Sequence, residues 1–230
     1  LHTAYRRQRQ MCIRDRFWIG KVTRHMQMPI MINLSQMNVV VIGGGRIATR
    51  RVELLLEYAS HIRVVSPHIT EYLNGLIQQQ QVTWHQKEFD PSDVANADLV
   101  IAATNNDQVN DEIKHHLGPH TLFNHVGNAK EGNITFPNQL RRGKLTISVS
   151  TDGASPKLAK QIIQNLAQTY DESYEDYIDF LYESRQLIKE KALTSSEKQS
   201  LLQDILTEKY KHPNAQQSFI NWLKTLDSSR

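Results

Sequence analysis

The apolar run Val39-Val40-Val41-Ile42 leads directly into Gly43-Gly44-Gly45, and a helical pattern begins at once. A short β-branched run of this kind predicts a buried strand. Ile47, Ala48, Val52, Leu55 and Leu56 recur at helical spacing and predict a helix packed against a sheet. Gly43, Gly45 and Ala48 fit the pattern G-x-G-x-x-A. The first glycine permits a tight turn, the second lets backbone approach a pyrophosphate, and the alanine keeps helix close to strand. The helix start then offers unpaired N–H groups and a positive dipole end to phosphates. Strand, turn and helix in this order are the context that gives the motif its meaning.

The alternation continues downstream. Ile62 to Val65 predicts a second strand, closed by Ser66-Pro67, and Ile69, Leu73, Leu76 and Ile77 a second helix. Val82 to His85 is a weaker strand, and Asp90-Pro91-Ser92 a turn or helix start. Leu99 to Ala103 is another buried strand, ending in Thr104-Asn105-Asn106-Asp107. A helix from Gln108 to His116 and a strand from Thr121 to Asn124 complete the series. Such alternation predicts an α/β fold, a parallel sheet with right-handed crossovers.

The period then changes. Ile134 to Phe136 and Leu145 to Val149 read as two strands around Gln139 to Lys144. Ser155 reads as an N-cap with Pro156 at the first helical position. Helical stripes follow at Leu158, Ile162, Ile163 and Leu166, at Tyr174, Tyr177, Ile178 and Leu181, and at Phe219, Ile220 and Leu223. Ser196 and Gln199 fit a capping box ahead of Leu201, Leu202, Ile205 and Leu206.

Composition bounds the alternatives. The 230 residues, 39% hydrophobic, suffice for one domain or two small ones with a real core. Nowhere do about 18 consecutive apolar residues occur, so no membrane-spanning helix is expected. The single cysteine, Cys12, excludes a disulfide framework and a multi-thiolate zinc site, and fits a reducing, intracellular setting. The net charge of +3 arises in residues 1–27, which hold seven Lys/Arg and one Asp. The rest holds 20 Lys/Arg against 23 Asp/Glu, a net of −3, so no nucleic-acid partner is expected. Residues 1–27 carry Arg6-Arg7-Gln8-Arg9 and Arg14-Asp15-Arg16 but neither the apolar core of a secretory signal nor the serines of a transit peptide. They read as a non-native extension, with the native start at Met26 or Met28, or alternatively as a disordered basic arm.

Candidate cofactor-binding residues follow from the ends of the predicted strands. Gly43, Gly44, Gly45, Arg46 and Ile47 form the phosphate turn. The second strand ends in Ser66-Pro67-His68, where an acidic residue commonly holds the adenine ribose. Ser66 can bond a ribose hydroxyl, whereas Arg46 can meet a 2′-phosphate; NAD is expected and NADP left open. Thr104 and Asn105 lie where a nicotinamide ribose would reach, and Asn106 or Asp107 caps the next helix. His115, His116 and His120 read as a surface patch, and no metal site is expected.

These residues resemble the precorrin-2 dehydrogenase family, the amino-terminal module of siroheme synthase. The resemblance rests on Val41 to Ala48 with Leu54-Leu55-Leu56, Ile101 to Asn106, Asn124 to Val126, Phe136-Pro137, and Val149 to Pro156, in that order. It implies NAD-dependent oxidation of precorrin-2 to sirohydrochlorin in siroheme biosynthesis, in a cytoplasmic homodimer. It also implies a Rossmann domain over residues 28–138, a dimerisation region over 139–170 and a helical domain over 171–230. Some relatives insert ferrous iron as well, so a bifunctional dehydrogenase and ferrochelatase is one alternative, and a non-catalytic dinucleotide- or tetrapyrrole-binding module another. Against this background Tyr170, Tyr174, Tyr177, Phe180 and Tyr182 either face a flat macrocycle or pack a core or dimer. Arg141, Arg142 and Lys144 either steer a substrate bearing eight carboxylates or sit in a solvated turn.

One departure from the family pattern bears on mechanism. The family has an Asp directly after Asn-x-Val, regarded as functional in both activities. Here Asn124-His125-Val126 is followed by Gly127-Asn128, and neither glycine nor asparagine is a base. His125 and Asn128 are the candidate replacements, His125 being the titratable one.

Overall fold

The sheet at the centre of the fold is built from the predicted apolar runs. The computed structural model describes residues 27–226. The readings made for the leader therefore fall, apart from Gln27 and Met28, outside the described residues. All the regular elements below belong to one unit, Asn33–Arg230. The first part runs β1 (Asn38–Ile42), α1 (Arg46–Leu55), β2 (His61–Val65), α2 (Glu71–Gln78), β3 (Thr83–His85), β4 (Leu99–Ala102), α3 (Asp107–His115) and β5 (Leu122–His125).

The five strands are parallel, in the order β3-β2-β1-β4-β5. This is a Rossmann-type α/β sheet. β1 is buried on both faces, which is why its sequence is a continuous apolar run rather than an alternation. Val39 and Val41 pack with Ala48, Val52, Leu55, Leu73 and Leu76 of α1 and α2. Val40 and Ile42 face the other way, onto Val100, Ala102, Ile113 and Phe123. Ile42 pairs with Val65 on one side and Ala102 on the other, and Ala102 pairs with His125, so β1, β2, β4 and β5 end at one level. The connections reverse between β1 and β4, and the crevice at such a reversal is where ligands bind.

The segment after β5 corrects one expectation. Ile134 to Phe136 is not a strand. The N–H groups of Asn133 and Ile134 both donate to the Phe123 carbonyl, and the Ile134 carbonyl accepts from Asn124 Nδ2. The segment is thus tied down as a loop, and its apolar side chains reach the first core without a ladder. The strand lies further on: β6 (Asn138–Arg142) pairs antiparallel with β7 (Leu145–Val149) around a turn at Gly143. This hairpin is fastened to the far end of α1. Arg141 pairs with Glu57 at 2.8 Å and lies over the Tyr58 ring, and Gln139 donates to the Tyr58 hydroxyl at 3.1 Å. Lys144 pairs with Asp179, so two of the three cations proposed to steer substrate already have partners.

The tail is helical: α4 (Pro156–Thr169), α5 (Ser173–Glu190), α6 (Ser195–Asp204) and α7 (Pro213–Thr225). Ser155 caps α4 as expected, accepting from Leu158 N–H at 3.3 Å. The capping box of α6 is Thr194 with Glu197, not Ser196 with Gln199. The Thr194 hydroxyl accepts from Glu197 N–H, and the Glu197 carboxylate accepts from Thr194 N–H at 2.8 Å. Tyr177, Phe180, Ile188, Ile205, Tyr210, Phe219, Ile220 and Leu223 form a third core. Tyr177 and Phe180 are therefore core residues, stacked toward Tyr210, while Tyr182 is exposed.

Candidate functional site

The three glycines of the turn do three different things. Gly43 has φ +116°, a conformation that side chains rarely adopt, and a Cβ there would lie 2.5 Å from the Ala103 carbonyl oxygen. Gly44 is buried, and a Cβ on it would lie 2.0 Å from the His68 carbonyl oxygen. It serves close packing of the turn against the end of β2. Gly45 is exposed, and a Cβ on it would meet none of the described residues within 4 Å.

Gly45 is also the N-cap of α1, in extended conformation, with no side-chain cap and no acidic residue in the first turn. α2, α3 and α4 are capped by Thr70, Asn106 and Ser155. The first N–H groups of α1 thus open onto free space beside Gly45, which fits a pyrophosphate. The turn is held from within: Thr49 Oγ1 donates to the Gly45 carbonyl at 3.0 Å and bonds Thr70 Oγ1 at 2.8 Å, and Thr70 N–H donates to the Gly44 carbonyl. Arg46 and Ile47 are exposed in the first turn. Ile47 was expected to face the sheet, but it is 50% exposed, because the buried stripe of Ala48, Val52 and Leu55 lies about 100° away around the helix.

At the end of β2, Ser66 is buried and its hydroxyl donates to the His68 carbonyl at 2.7 Å. Its carbonyl takes the Trp84 indole N–H at 2.9 Å. With its hydrogen spent, the Ser66 hydroxyl keeps only acceptor capacity. Pro67 beside it is exposed. At the end of β4, Thr104 is half-buried, Asn105 is exposed, and Asn106 caps α3 by accepting from Gln108 N–H and Val109 N–H.

At the end of β5, His125 is 5% exposed, with its ring edge toward Phe123. Its Nδ1 accepts from Asn128 N–H at 2.8 Å, which puts the ring proton on Nε2. Gly127 and Asn128 are exposed on the turn that this bond closes. A Cβ on Gly127 would sit 3.4 Å from His125 Cε1, an ordinary contact. Asn124, the preceding residue of the strand, has its Oδ1 buried without a hydrogen-bond partner among the described residues. On α1, Arg51 lies over the Phe136 ring at 5.0 Å, and burial there pushes its pKa down.

The structure therefore brings Gly43–Ile47, Ser66–Pro67, Thr104–Asn105 and His125–Asn128 to the carboxyl ends of β1, β2, β4 and β5. His115 and His116 lie elsewhere, each with Nδ1 against the carbonyl four residues earlier. Among the described residues no group of three His, Cys, Asp or Glu could hold a metal ion. Thr49, Thr70 and Asn110 escaped sequence reasoning. For Asn110 a signal existed: it lies four residues after Asn106 and three before Ile113, a polar residue on the sheet-facing stripe of its helix.

A parallel sheet that reverses at β1 and β4, with an uncapped glycine turn at the reversal, defines a dinucleotide-binding Rossmann protein. The comparisons narrow this. The NAD(P)-binding family model NAD_binding_7 matches residues 30–138, the sirohaem biosynthesis protein central model residues 142–168, and the SirC C-terminal domain model residues 174–219. The precorrin-2 dehydrogenase of Priestia megaterium is 38% identical over 182 residues, 79% of this chain and 90% of that protein. That of Bacillus subtilis (strain 168) is 35% identical over 158 residues, 69% of this chain and 98% of that protein. The siroheme synthase of Mannheimia succiniciproducens is 27% identical over 183 residues, but only 38% of its length is spanned. The solved structure of SirC, a precorrin-2 dehydrogenase, superposes with a TM-score of 0.77 at 35% identity, over 86% of this chain and 99% of that one. The chain belongs to the precorrin-2 dehydrogenase family.

Proposed function

We propose that this chain is an oxidoreductase that converts precorrin-2 to sirohydrochlorin, with NAD as the hydride acceptor. The observation that carries the reading is the open, uncapped start of α1 at Gly45, in a chain whose full-length relatives are precorrin-2 dehydrogenases. When bound, the dinucleotide supplies a nicotinamide ring that takes up hydride. The backbone from Gly43 to Ile47 holds the pyrophosphate, with Arg46 at the rim. Ser66 and Pro67 flank the adenine ribose. As an acceptor, the Ser66 hydroxyl suits a ribose 2′-hydroxyl and repels a 2′-phosphate, which supports NAD over NADP. Thr104 and Asn105 hold the nicotinamide end.

Two hydrogens leave the substrate, one as hydride and one as a proton. Gly127-Asn128 offers no carboxylate for that proton, and Nδ1 of His125 is occupied by Asn128 N–H. The proton passes to water, and the protein acts by orientation of the reactants. The same gap supports a dehydrogenase without ferrochelatase activity. The working form is a homodimer joined through residues 139–170. α4 supports this: Ala159 is its one buried residue, while Leu158 is 49% exposed and Ile162, Ile163 and Leu166 are half-buried.

The test is to mix purified protein with precorrin-2 and NAD and follow absorbance. Sirohydrochlorin and NADH are expected to form together, and no spectral change with NAD or NADP would refute the reading. Ferrous iron added afterwards is expected to leave the sirohydrochlorin spectrum unchanged.

A further inference from the structure

Asn110 is 1% exposed on the sheet-facing side of α3. A buried amide is costly unless both its ends are bonded. Both ends of this one go to a single residue. Nδ2 donates to the Thr104 carbonyl at 3.3 Å, and Oδ1 accepts from Thr104 Oγ1 at 2.7 Å. The reversed amide would set two oxygens face to face at the carbonyl, so this orientation is forced, and the Thr104 hydroxyl hydrogen has an acceptor inside the protein. The Asn106 carbonyl, at 3.0 Å, is a second inward acceptor for the same hydrogen. One lone pair of the hydroxyl oxygen takes Asn106 N–H at 3.2 Å. What remains on the hydroxyl for a ligand is one acceptor lone pair. The backbone of this loop also walls the glycine turn, since Thr104 N lies 3.2 Å from where a Cβ on Gly43 would be.

We propose that Asn110, whose side chain bonds Thr104, is a positioning residue for the nicotinamide end of the dinucleotide. It fixes the Thr104 loop so that the Thr104 oxygen accepts a hydrogen bond from a ligand hydroxyl or amide N–H. The inference rests on the dinucleotide reading above and adds to it a residue and a polarity: a donor group on the ligand meets Thr104.

The experiment compares NADH with ADP, which fills the phosphate turn but lacks the nicotinamide half. Both are titrated by calorimetry into the full-length protein and into Asn110→Asp, Thr104→Val and Thr104→Ser. Asn110→Asp keeps the shape but turns an acceptor onto the Thr104 carbonyl; Thr104→Val removes the hydroxyl from a half-buried loop and covers the case in which Asn110→Asp does not fold. ADP affinity is expected to stay within about twofold throughout. NADH is expected to bind about tenfold more weakly to Asn110→Asp and Thr104→Val, the scale of one hydrogen bond, and normally to Thr104→Ser. Equal weakening of both ligands would mark Asn110 as a general structural residue and overturn the proposal, as would unchanged NADH binding. Failure of the parent protein to bind either ligand would overturn the dinucleotide reading itself.

Discussion

Gly44 and Gly45 stand side by side and answer to opposite demands. A Cβ on Gly44 has no room beside the His68 carbonyl oxygen, so Gly44→Ala is expected to lower stability by about 1–3 kcal/mol, the usual range for overpacking. Gly45 has open space and negative φ, −81°. Gly45→Asp supplies the side-chain cap that α1 lacks, worth a few tenths of a kcal/mol, and puts a negative charge at the positive helix end. The melting temperature is expected to hold or rise slightly while NADH binding, read by calorimetry, is lost. Binding that survives the added charge would sink the phosphate assignment. Gly127→Asp is the third case at this scale. The Cβ finds ordinary contact, so the variant is expected to fold, as circular dichroism can check. Its carboxylate is expected to raise dehydrogenase turnover toward the about 10²–10⁴-fold that general bases contribute. An unchanged rate would mean that orientation alone carries the reaction.

Among the elements, those whose pattern has one physical cause were legible and those with two were not. β1 and β4 read correctly because strands buried on both faces have little reason to be apolar throughout except to sit inside a parallel sheet. The glycine turn read correctly as a turn, since three consecutive glycines between strand and helix leave few options. The 133–137 segment did not, because apolar loop residues that reach a core look like a short strand; the bonds that hold them, to the Phe123 carbonyl and Asn124, are tertiary. The cap of α6 was misplaced because Thr194, Ser195 and Ser196 are all competent, and the acid three residues on decides for Thr194. That box carries a pH signature. Hydrogen bonds from the Thr194 hydroxyl and N–H hold the Glu197 carboxyl below its ordinary pKa. Its contribution is complete above the ordinary glutamate value and fades as pH falls through the lowered one. Thr194→Val is therefore expected to destabilise near neutrality, with the gap to the parent narrowing from about pH 6 to about pH 3. Urea midpoints across that range would show it, and a constant gap would refute it.

At the scale of the whole molecule, α4 carries the proposed dimer. This helix of 14 residues has one buried side chain, Ala159, and the tail builds its own core elsewhere; the proposed dimer would cover its remaining apolar face. Leu158→Asp is expected to leave a folded protein that sediments as a monomer where the parent sediments as a dimer. A monomeric parent at micromolar concentration would remove the proposed dimer. Because the glycine turn lies on the Rossmann part, NADH affinity is expected to change little in that variant.

The two neighbouring glycines are also exposed to different selection. A nucleotide change that replaces Gly44 adds a Cβ, and that Cβ strikes backbone, so purifying selection for a foldable chain alone guards the codon. The codon of Gly45 has no such protection, since none of the described residues fills the space beside it. A descendant gene relieved of its chemistry would therefore keep the one and drift at the other. In such a lineage the order of loss could be read from two adjacent codons, with the second recording when the ligand ceased to matter.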